Sequence, residues 1–496
     1  QAPRPLMDDL DWVAQAAALD LPPGLFIGGE YREAGTRDHI TPRDGSVLGA
    51  VPWAGVSDSD AAVAAARAAF DNGPWPRMHP RERGEVLQRF AALVEEHRDE
   101  VALLVSLEMG KPIRVAHEIE LRALIRTLRF YGELADKEYG EITPSDEGQL
   151  ALVTREPAGV VAAVVPWNFP LTLAGWKFAP ALAAGCTVVL KTAEQSPLSM
   201  LRVAALGAEA GLPPGVLNVV TGEGHVVGKA LGEHADVDIL TFTGSTAVGR
   251  HFLRYSADSN LKRVYLELGG KSPNIILPDA PDLGAAADAA AWAIFFNSGE
   301  MCTAGSRLIL HRDIADEVLD RVVAASADWA AGDPLDPATR MGPMVDERSL
   351  QRMQAQLEQG VGEGARVLTG GDRARSDAPY FQPTVVTDLT ADNVLVREEL
   401  FAPVLSVLVV DDEEQAVRVA VDTPYGLAAA VWTADLGAAH RVSRKLRAGT
   451  VWVNCYEEGD LNVPFGGVKL SGFGRDKSRH AMAQYTDLKT TWINYG

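Results

Sequence analysis

Apolar residues recur at spacings of three and four over 60–70, 81–107 and 116–137, so the opening part of the chain is predicted to form amphipathic helices. Beyond residue 158 the pattern changes. Short apolar runs without polar alternation occupy 159–165, 187–190, 217–220 and 238–242, and helix-period stretches near 172–184, 198–210 and 224–233 separate them. Unbroken runs of that length suit strands covered on both faces, the condition of a parallel sheet with crossover helices. A second series begins near Glu267, with runs at 274–277, 404–410, 427–432 and 450–453 and a helix over 282–298. The pattern predicts an α/β protein of two doubly wound α/β units, and the cleft between them is where a cofactor and a substrate would meet. The tail 485–495, rich in Thr, Trp, Ile and Tyr, reads as a strand that pairs either with its own chain or with a second copy.

Charge and composition narrow the partners. The net charge of −21 over 496 residues repels nucleic-acid backbones and anionic membrane surfaces, so a small-molecule substrate is expected. No run approaches the ~18 apolar residues needed to span a bilayer. The three cysteines, Cys186, Cys302 and Cys455, are too scattered for a disulfide framework, and none has metal-ligand spacing. No metal is expected. The opening residues carry Asp8, Asp9 and Asp11 and resemble neither a signal nor a transit peptide, so a reducing cytoplasm is the expected compartment.

Four segments could carry chemistry. Cys302 lies in Asn297-Ser298-Gly299-Glu300-Met301-Cys302-Thr303-Ala304-Gly305, small and polar surroundings that differ from those of Cys186 at an apolar strand start. Taken alone, Cys302 fits a core cysteine and a reactive thiol equally. Glu267 ends an apolar strand before Gly269 and Gly270; desolvation there would raise its pKa toward that of a general base, although a solvated strand-end glutamate also fits. Asn168, in Trp167-Asn168-Phe169-Pro170, follows a predicted strand, where its amide could donate to an oxyanion or simply shape a turn. Phe242-Thr243-Gly244-Ser245 leads from strand to helix, so a helix N-terminus there could receive a pyrophosphate, though the glycine spacing is not that of the Rossmann fingerprint. Lys191 and Glu194 follow another strand and could grip ribose hydroxyls, with the carboxylate favouring NAD over NADP.

Taken in order, these segments, with Lys191-Thr192-Ala193-Glu194, Glu399-Leu400-Phe401-Ala402-Pro403 and Pro464-Phe465-Gly466-Gly467, resemble the aldehyde dehydrogenase superfamily across nearly the whole chain. The resemblance implies that Cys302 is the nucleophile, Glu267 the general base, and Asn168 with the Cys302 N–H the oxyanion hole. It implies NAD as cofactor, held by Lys191, Glu194, Gly244, Ser245, Glu399 and Phe401, with Val165, Pro166, Trp167, Phe242, Val248 and Leu268 also on that side. It further implies a Rossmann-like cofactor domain (1–138 and 159–266), a catalytic domain (267–480) and a β-hairpin oligomerisation arm (139–158 and 481–496), assembled as a homodimer or homotetramer. Two residues depart from the family pattern on the cofactor side: Thr192 stands where proline is common, and Ala402 where glycine is usual.

The closing stretch, 454–460 with Gly472-Phe473-Gly474-Arg475-Asp476-Lys477-Ser478, resembles the γ-glutamyl-γ-aminobutyraldehyde dehydrogenase branch of polyamine breakdown. Under that resemblance Glu457, Glu458 or Asp460 would place negative charge at the substrate entrance and favour amino aldehydes. Phe169, Trp176, Phe296 and Phe465, with Met301, would wall the alkyl portion. A broad aliphatic or betaine aldehyde dehydrogenase is the alternative specificity. Other classes fit less well. An acylating dehydrogenase generally lacks the equivalent of Glu267, a thiol hydrolase needs a histidine that the motif segments do not contain, and a structural relative without turnover has no need of both Cys302 and Glu267.

Overall fold

In the computed structural model, which describes residues 7–496, two large sheets carry the fold. The first has eight strands in the order Gly472–Phe473, Arg263–Glu267, Ile239–Thr243, Val160–Val164, Thr187–Lys191, Leu217–Val220, Leu25–Ile27 and Glu30–Arg32. Its five central strands are parallel and its outer pairs antiparallel. Val160–Val164, Thr187–Lys191 and Ile239–Thr243 are buried at every position because side chains alternate between two cores. Val161, Ala163, Val188 and Leu190 face one, while Val160, Ala162, Val164 and Val189 face the other.

Chain order along this sheet reverses between Val160–Val164 and Ile239–Thr243. Loops leaving the C-terminal ends of two such strands diverge, and the crevice between them is where open α/β sheets bind ligands. Residues 165–168 and 244–245 occupy those two loops.

The second sheet runs Arg366–Thr369, Thr384–Thr387, Val404–Val410, Arg307–His311, Pro273–Ile276, Ala428–Trp432 and Thr450–Val453, parallel except at its first strand. The same alternation supplies two cores, with Ile276, Leu308 and Leu405 on one face and Ile275, Ile309 and Leu408 on the other. Residues 268–272 join the end of Arg263–Glu267 to the start of Pro273–Ile276, so Glu267 closes a strand of one sheet where the chain crosses to the other.

Some elements differ from the sequence reading. Leu25–Ile27, Glu30–Arg32, Gly35–Ile40 and Val47–Trp53 add strands to an opening expected to be helical; Gly35–Ile40 buries only His39 and therefore has no apolar period. The helix expected over 282–298 ends at Phe295, because Asn297 and Ser298 adopt left-handed conformations. The strand Gly472–Phe473 pairs with Leu266 and Glu267, so a segment expected in the second unit lends an edge to the first sheet. The tail strand Thr486–Asn494 pairs antiparallel with Gln149–Pro157 of its own chain over nine positions, and Glu141–Thr143 completes this small sheet. Among the described residues no helix is long and apolar enough to cross a membrane.

Candidate active site

Helix Leu283–Phe295, capped by Asp282 accepting from the Ala285 N–H at 2.9 Å, delivers the loop that holds Cys302. Asn297 (φ 51°) and Ser298 (φ 58°) turn the chain sharply, and left-handed non-glycine residues cost about 1–3 kcal/mol each unless their surroundings fix them. Here they are fixed. Asn297 Nδ2 donates to the carbonyls of Asn168 (3.1 Å) and Glu300 (3.2 Å), while Ser298 Oγ donates to Gly342 O (3.0 Å) and Pro343 O (3.1 Å). On the far side Tyr456 Oη donates to Thr303 O at 2.7 Å. A Cβ on Gly270 would stand 2.4 Å from Cys302 O, so the glycine lets the linker from Glu267 lie against the thiol loop.

Cys302 is partly exposed and lines a cavity of about 510 Å³ together with Asn168, Gly244, Ser245, Glu399 and Phe401. Pro166, Trp167 and Leu268 also line it, and the Trp167 ring meets Phe401 edge-on with centroids 5.5 Å apart. Asn168 is 3% exposed, and Nδ2 donates to Glu300 O at 2.9 Å. An amide nitrogen carries two hydrogens, so one donor remains for a ligand. Lys111 Nζ, ion-paired with Glu120 in a fully buried contact, donates to Asn168 O at 2.8 Å and holds this residue from behind.

Glu267 is 4% exposed and neither carboxylate oxygen has a hydrogen-bond partner. Burial, reinforced by the Asp476 charge and opposed by Lys177, pushes its pKa well above the ordinary carboxylate range. Lys177 and Asp476 form a buried pair at 3.1 Å. Burial also drives the Cys302 thiol well up, followed by the charges of Glu267, Glu457 and Glu399. Burial thus disfavours the anion of either group, and their charge states depend on each other. A thiol and a poised carboxyl group beside one cavity can support covalent addition and proton transfer.

Residues 31–491 match the aldehyde dehydrogenase family. The chain belongs to the aldehyde dehydrogenase family. It is 47% identical over 486 residues to the NADP/NAD-dependent aldehyde dehydrogenase PuuC of Escherichia coli K12, covering 97% of this chain and 98% of that one. Among solved structures it is similar to the γ-glutamyl-γ-aminobutyraldehyde dehydrogenase of Burkholderia cenocepacia (54% identity, TM-score 0.96, covering 98% of this chain and 99% of that one). It is also similar to the indole-3-acetaldehyde dehydrogenase AldA of P. syringae in complex with NAD+ and IAA (50% identity, TM-score 0.96, the same coverage).

The remaining residues singled out in the sequence of this aldehyde dehydrogenase lie as follows. Val165, Phe242, Lys191, Glu194 and Val248 do not line the cavity. The Val165 N–H bonds Lys191 O (3.1 Å), Phe242 packs on Phe252, and Lys191 Nζ donates to Thr192 O at 2.8 Å. Burial lowers the Lys191 pKa to about 8. Glu194 accepts from Gly224 N–H at 3.0 Å, and the Val248 N–H is capped by Ser245 Oγ at 3.3 Å. Glu399 accepts from Gly270 N–H at 3.0 Å, and burial raises its pKa to about 7. Thr192 donates its N–H to Val220 O (3.1 Å), a bond that proline cannot make. Ala402 is 2% exposed, and its carbonyl oxygen lies 2.1 Å from where a Cβ on Gly299 would stand.

Of the residues that the resemblance assigns to the substrate, Phe169 stacks on Phe296 (6.3 Å), Trp176 lies against Phe465 (5.2 Å), and Met301 is buried. Glu457 is half-buried, and its charge reaches both Cys302 and Glu267. Glu458 and Asp460 are exposed, with Asp460 3.6 Å from Arg126 and bonded by Asn462. Four charged groups escaped the sequence reading in their roles: Lys111, Lys177, Asp476 and Lys477. For Lys177 the signal was a single ammonium inside Pro170–Ala184, a helix otherwise almost wholly apolar and buried.

Proposed function

We propose that this enzyme oxidises an aldehyde to a carboxylic acid through a thioester on Cys302, with NAD as cofactor. The observation that carries the reading is the partnerless, buried Glu267 carboxyl group coupled to a thiol that opens on the 510 Å³ cavity. Cys302 Sγ passes its proton to the Glu267 carboxylate and adds to the carbonyl carbon. The oxygen that takes up the charge is met by the free Asn168 Nδ2 hydrogen and the Cys302 N–H. Bound NAD supplies the acceptor for the hydride that leaves this carbon. Glu267, once that proton has passed to solvent, removes a proton from water, which attacks the thioester carbonyl; the C–S bond breaks, the carboxylic acid departs, and the proton on Glu267 returns to sulfur to restore the thiol.

The residues fit the cofactor. Thr243 Oγ1 is buried at the cavity wall without a partner, and Gly244-Ser245 open the twelve-residue helix Thr246–Ala257, whose N-terminus suits a pyrophosphate. Glu399 and Phe401 would hold the nicotinamide riboside, and Lys191 with Glu194 the adenosine ribose. The Glu194 carboxylate opposes a 2′-phosphate and favours NAD.

For substrates the reading favours ω-amino and γ-glutamylamino aldehydes. Glu457 supplies negative charge that Cys302 feels, Phe169, Trp176, Phe296 and Phe465 supply apolar walls, and one of the relatives above is a γ-glutamyl-γ-aminobutyraldehyde dehydrogenase by name. A division into 1–138 with 159–266, 267–480, and 139–158 with 481–496 is supported by the two large sheets and the three-stranded sheet, whose strands fall within these limits apart from Gly472–Phe473. Leu488, Trp492 and Ile142, 63%, 57% and 74% exposed on the small sheet, support a homodimer or homotetramer, and three free cysteines support a cytoplasmic enzyme.

The test is a panel of amino, γ-glutamylamino and alkyl aldehydes followed at 340 nm with NAD and with NADP. NADH formation that Cys302→Ala abolishes is expected. Absence of NADH across the panel, or turnover that survives loss of the thiol, overturns the reading.

A further inference from the structure

Lys477 occupies a backbone conformation that lysine rarely adopts, φ 62° and ψ 174°, a region that glycine enters freely. Ser478 follows at φ 54°. The surroundings impose this path. Phe465 and Asp476 exchange two backbone hydrogen bonds of 2.7 Å, Ser478 N–H donates to Leu461 O at 2.8 Å, and Tyr131 Oη donates to Ser478 O at 3.0 Å. A strained position held by a long charged side chain, where glycine would relieve the strain, points to a use for that side chain.

The ammonium is aimed at the aromatic walls. Nζ lies 5.4 Å from the Trp176 ring centroid and 6.0 Å from that of Phe465, and 3.6 Å from where a Cβ on Gly459 would stand. Among the described residues no carboxylate comes within ion-pair distance of it. The facing acids are Glu457, Asp460 and Asp476, with Asp476 committed to Lys177 and Asp460 to Asn462 and Arg126. Glu457 has its Oε1 buried and unpartnered. Phe465 lines a small cleft with Glu267, while Trp176, Phe465 and Lys477 take no part in the wall of the large cavity. Phe465 therefore adjoins Glu267 outside the wall of the cofactor cavity, and the ring pair carries one ammonium beside it, with the Glu457 carboxylate facing that ammonium without direct contact.

We propose that Lys477 is a specificity-determining residue that receives the carboxylate at the far end of the aldehyde, while Glu457 receives the neighbouring ammonium, so that the preferred substrate ends in an amino-acid zwitterion. This rests on the reading of the chain as an aldehyde oxidiser and adds which end group it selects. An acidic rim alone would favour any amino aldehyde; the added cation favours the one that also carries a carboxylate. A charge-assisted hydrogen bond between ammonium and carboxylate is worth about 10- to 100-fold in affinity.

The experiment compares kcat/KM for the γ-glutamyl amide of 4-aminobutanal, for the same amide lacking the α-carboxylate, and for hexanal, in the wild type, Lys477→Met, Lys477→Arg and Lys477→Gly. The wild type should prefer the carboxylate-bearing aldehyde over its decarboxylated analogue; Lys477→Met and Lys477→Gly should reduce that ratio by about tenfold or more, and Lys477→Arg should retain most of it. Lys477→Gly fits the observed φ and ψ, so it serves as the folded variant if Lys477→Met does not fold. An unchanged ratio in Lys477→Gly, or a wild type indifferent to the carboxylate, overturns this proposal while leaving aldehyde oxidation standing. Failure of the wild type to oxidise any of the three aldehydes refutes the broader reading instead.

Discussion

Replacing Glu267 by Gln separates the two halves of the proposed reaction. The side chain changes little in shape, and because neither carboxylate oxygen has a partner, the amide breaks no existing hydrogen bond. What is lost is the proton acceptor. General-base assistance contributes about 10²–10⁴-fold, so an enzyme turning over at about 10 s⁻¹ would release acid at about 0.1–0.001 s⁻¹. The thiol, relieved of the Glu267 charge that raises its pKa, can still lose its proton to water and add to the aldehyde, more slowly than in the wild type. Stopped-flow absorbance at 340 nm should therefore show about one NADH per site, followed by a slow steady state of thioester hydrolysis. Denaturing mass spectrometry should find the acyl group on Cys302. A steady-state loss below tenfold refutes the assignment of Glu267 as base for water. Loss of the burst together with turnover refutes the separation of the two halves, because no other acceptor would then take the thiol proton.

Asp476→Asn removes the charge that, after burial, does most to raise the Glu267 pKa, and it leaves Lys177 uncompensated. Because the folded pKa falls, the basic form persists to lower pH, and the ascending limb of kcat/KM should move to lower pH; Lys177→Met should move it upward. Gly270→Ala puts a Cβ 2.4 Å from Cys302 O, and a displaced thiol should cost about 100-fold in kcat with a near-normal melting curve. Lys111→Met leaves Glu120 charged at zero exposure, so urea unfolding should show a loss of about 3–5 kcal/mol.

The central strands were legible because burial on both faces writes unbroken apolar runs: Val160–Val164 and Ile239–Thr243 lie within a residue of the runs that announced them. Gly35–Ile40 was not, since it exposes five of its six residues and is held by pairing with Val47–Trp53 rather than by its own period. The helix after Asp282 was read too long because nothing in Asn297-Ser298 reveals two consecutive left-handed residues; contacts to Asn168 and to Gly342 and Pro343 impose them. Glu267 stood out through the glycines that follow it, and Cys302 through its small, polar surroundings. The Lys177–Asp476 pair joins positions 299 residues apart, and no local spacing can encode such a contact.

Burial raises both Cys302 and Glu267, which looks at first like an obstacle to forming a thiolate. The relevant quantity is the difference between the two groups. When a proton passes from Sγ to the Glu267 carboxylate, the pair carries one negative charge before and after, so the desolvation that penalises each anion largely cancels. Lys177 and Asp476 bias only the Glu267 side of that exchange, while Glu399 and Glu457 act on both members. The enzyme thus keeps an accessible thiol protonated at rest, where it resists oxidation, and needs only a small redistribution within the pair to make it nucleophilic once a carbonyl arrives.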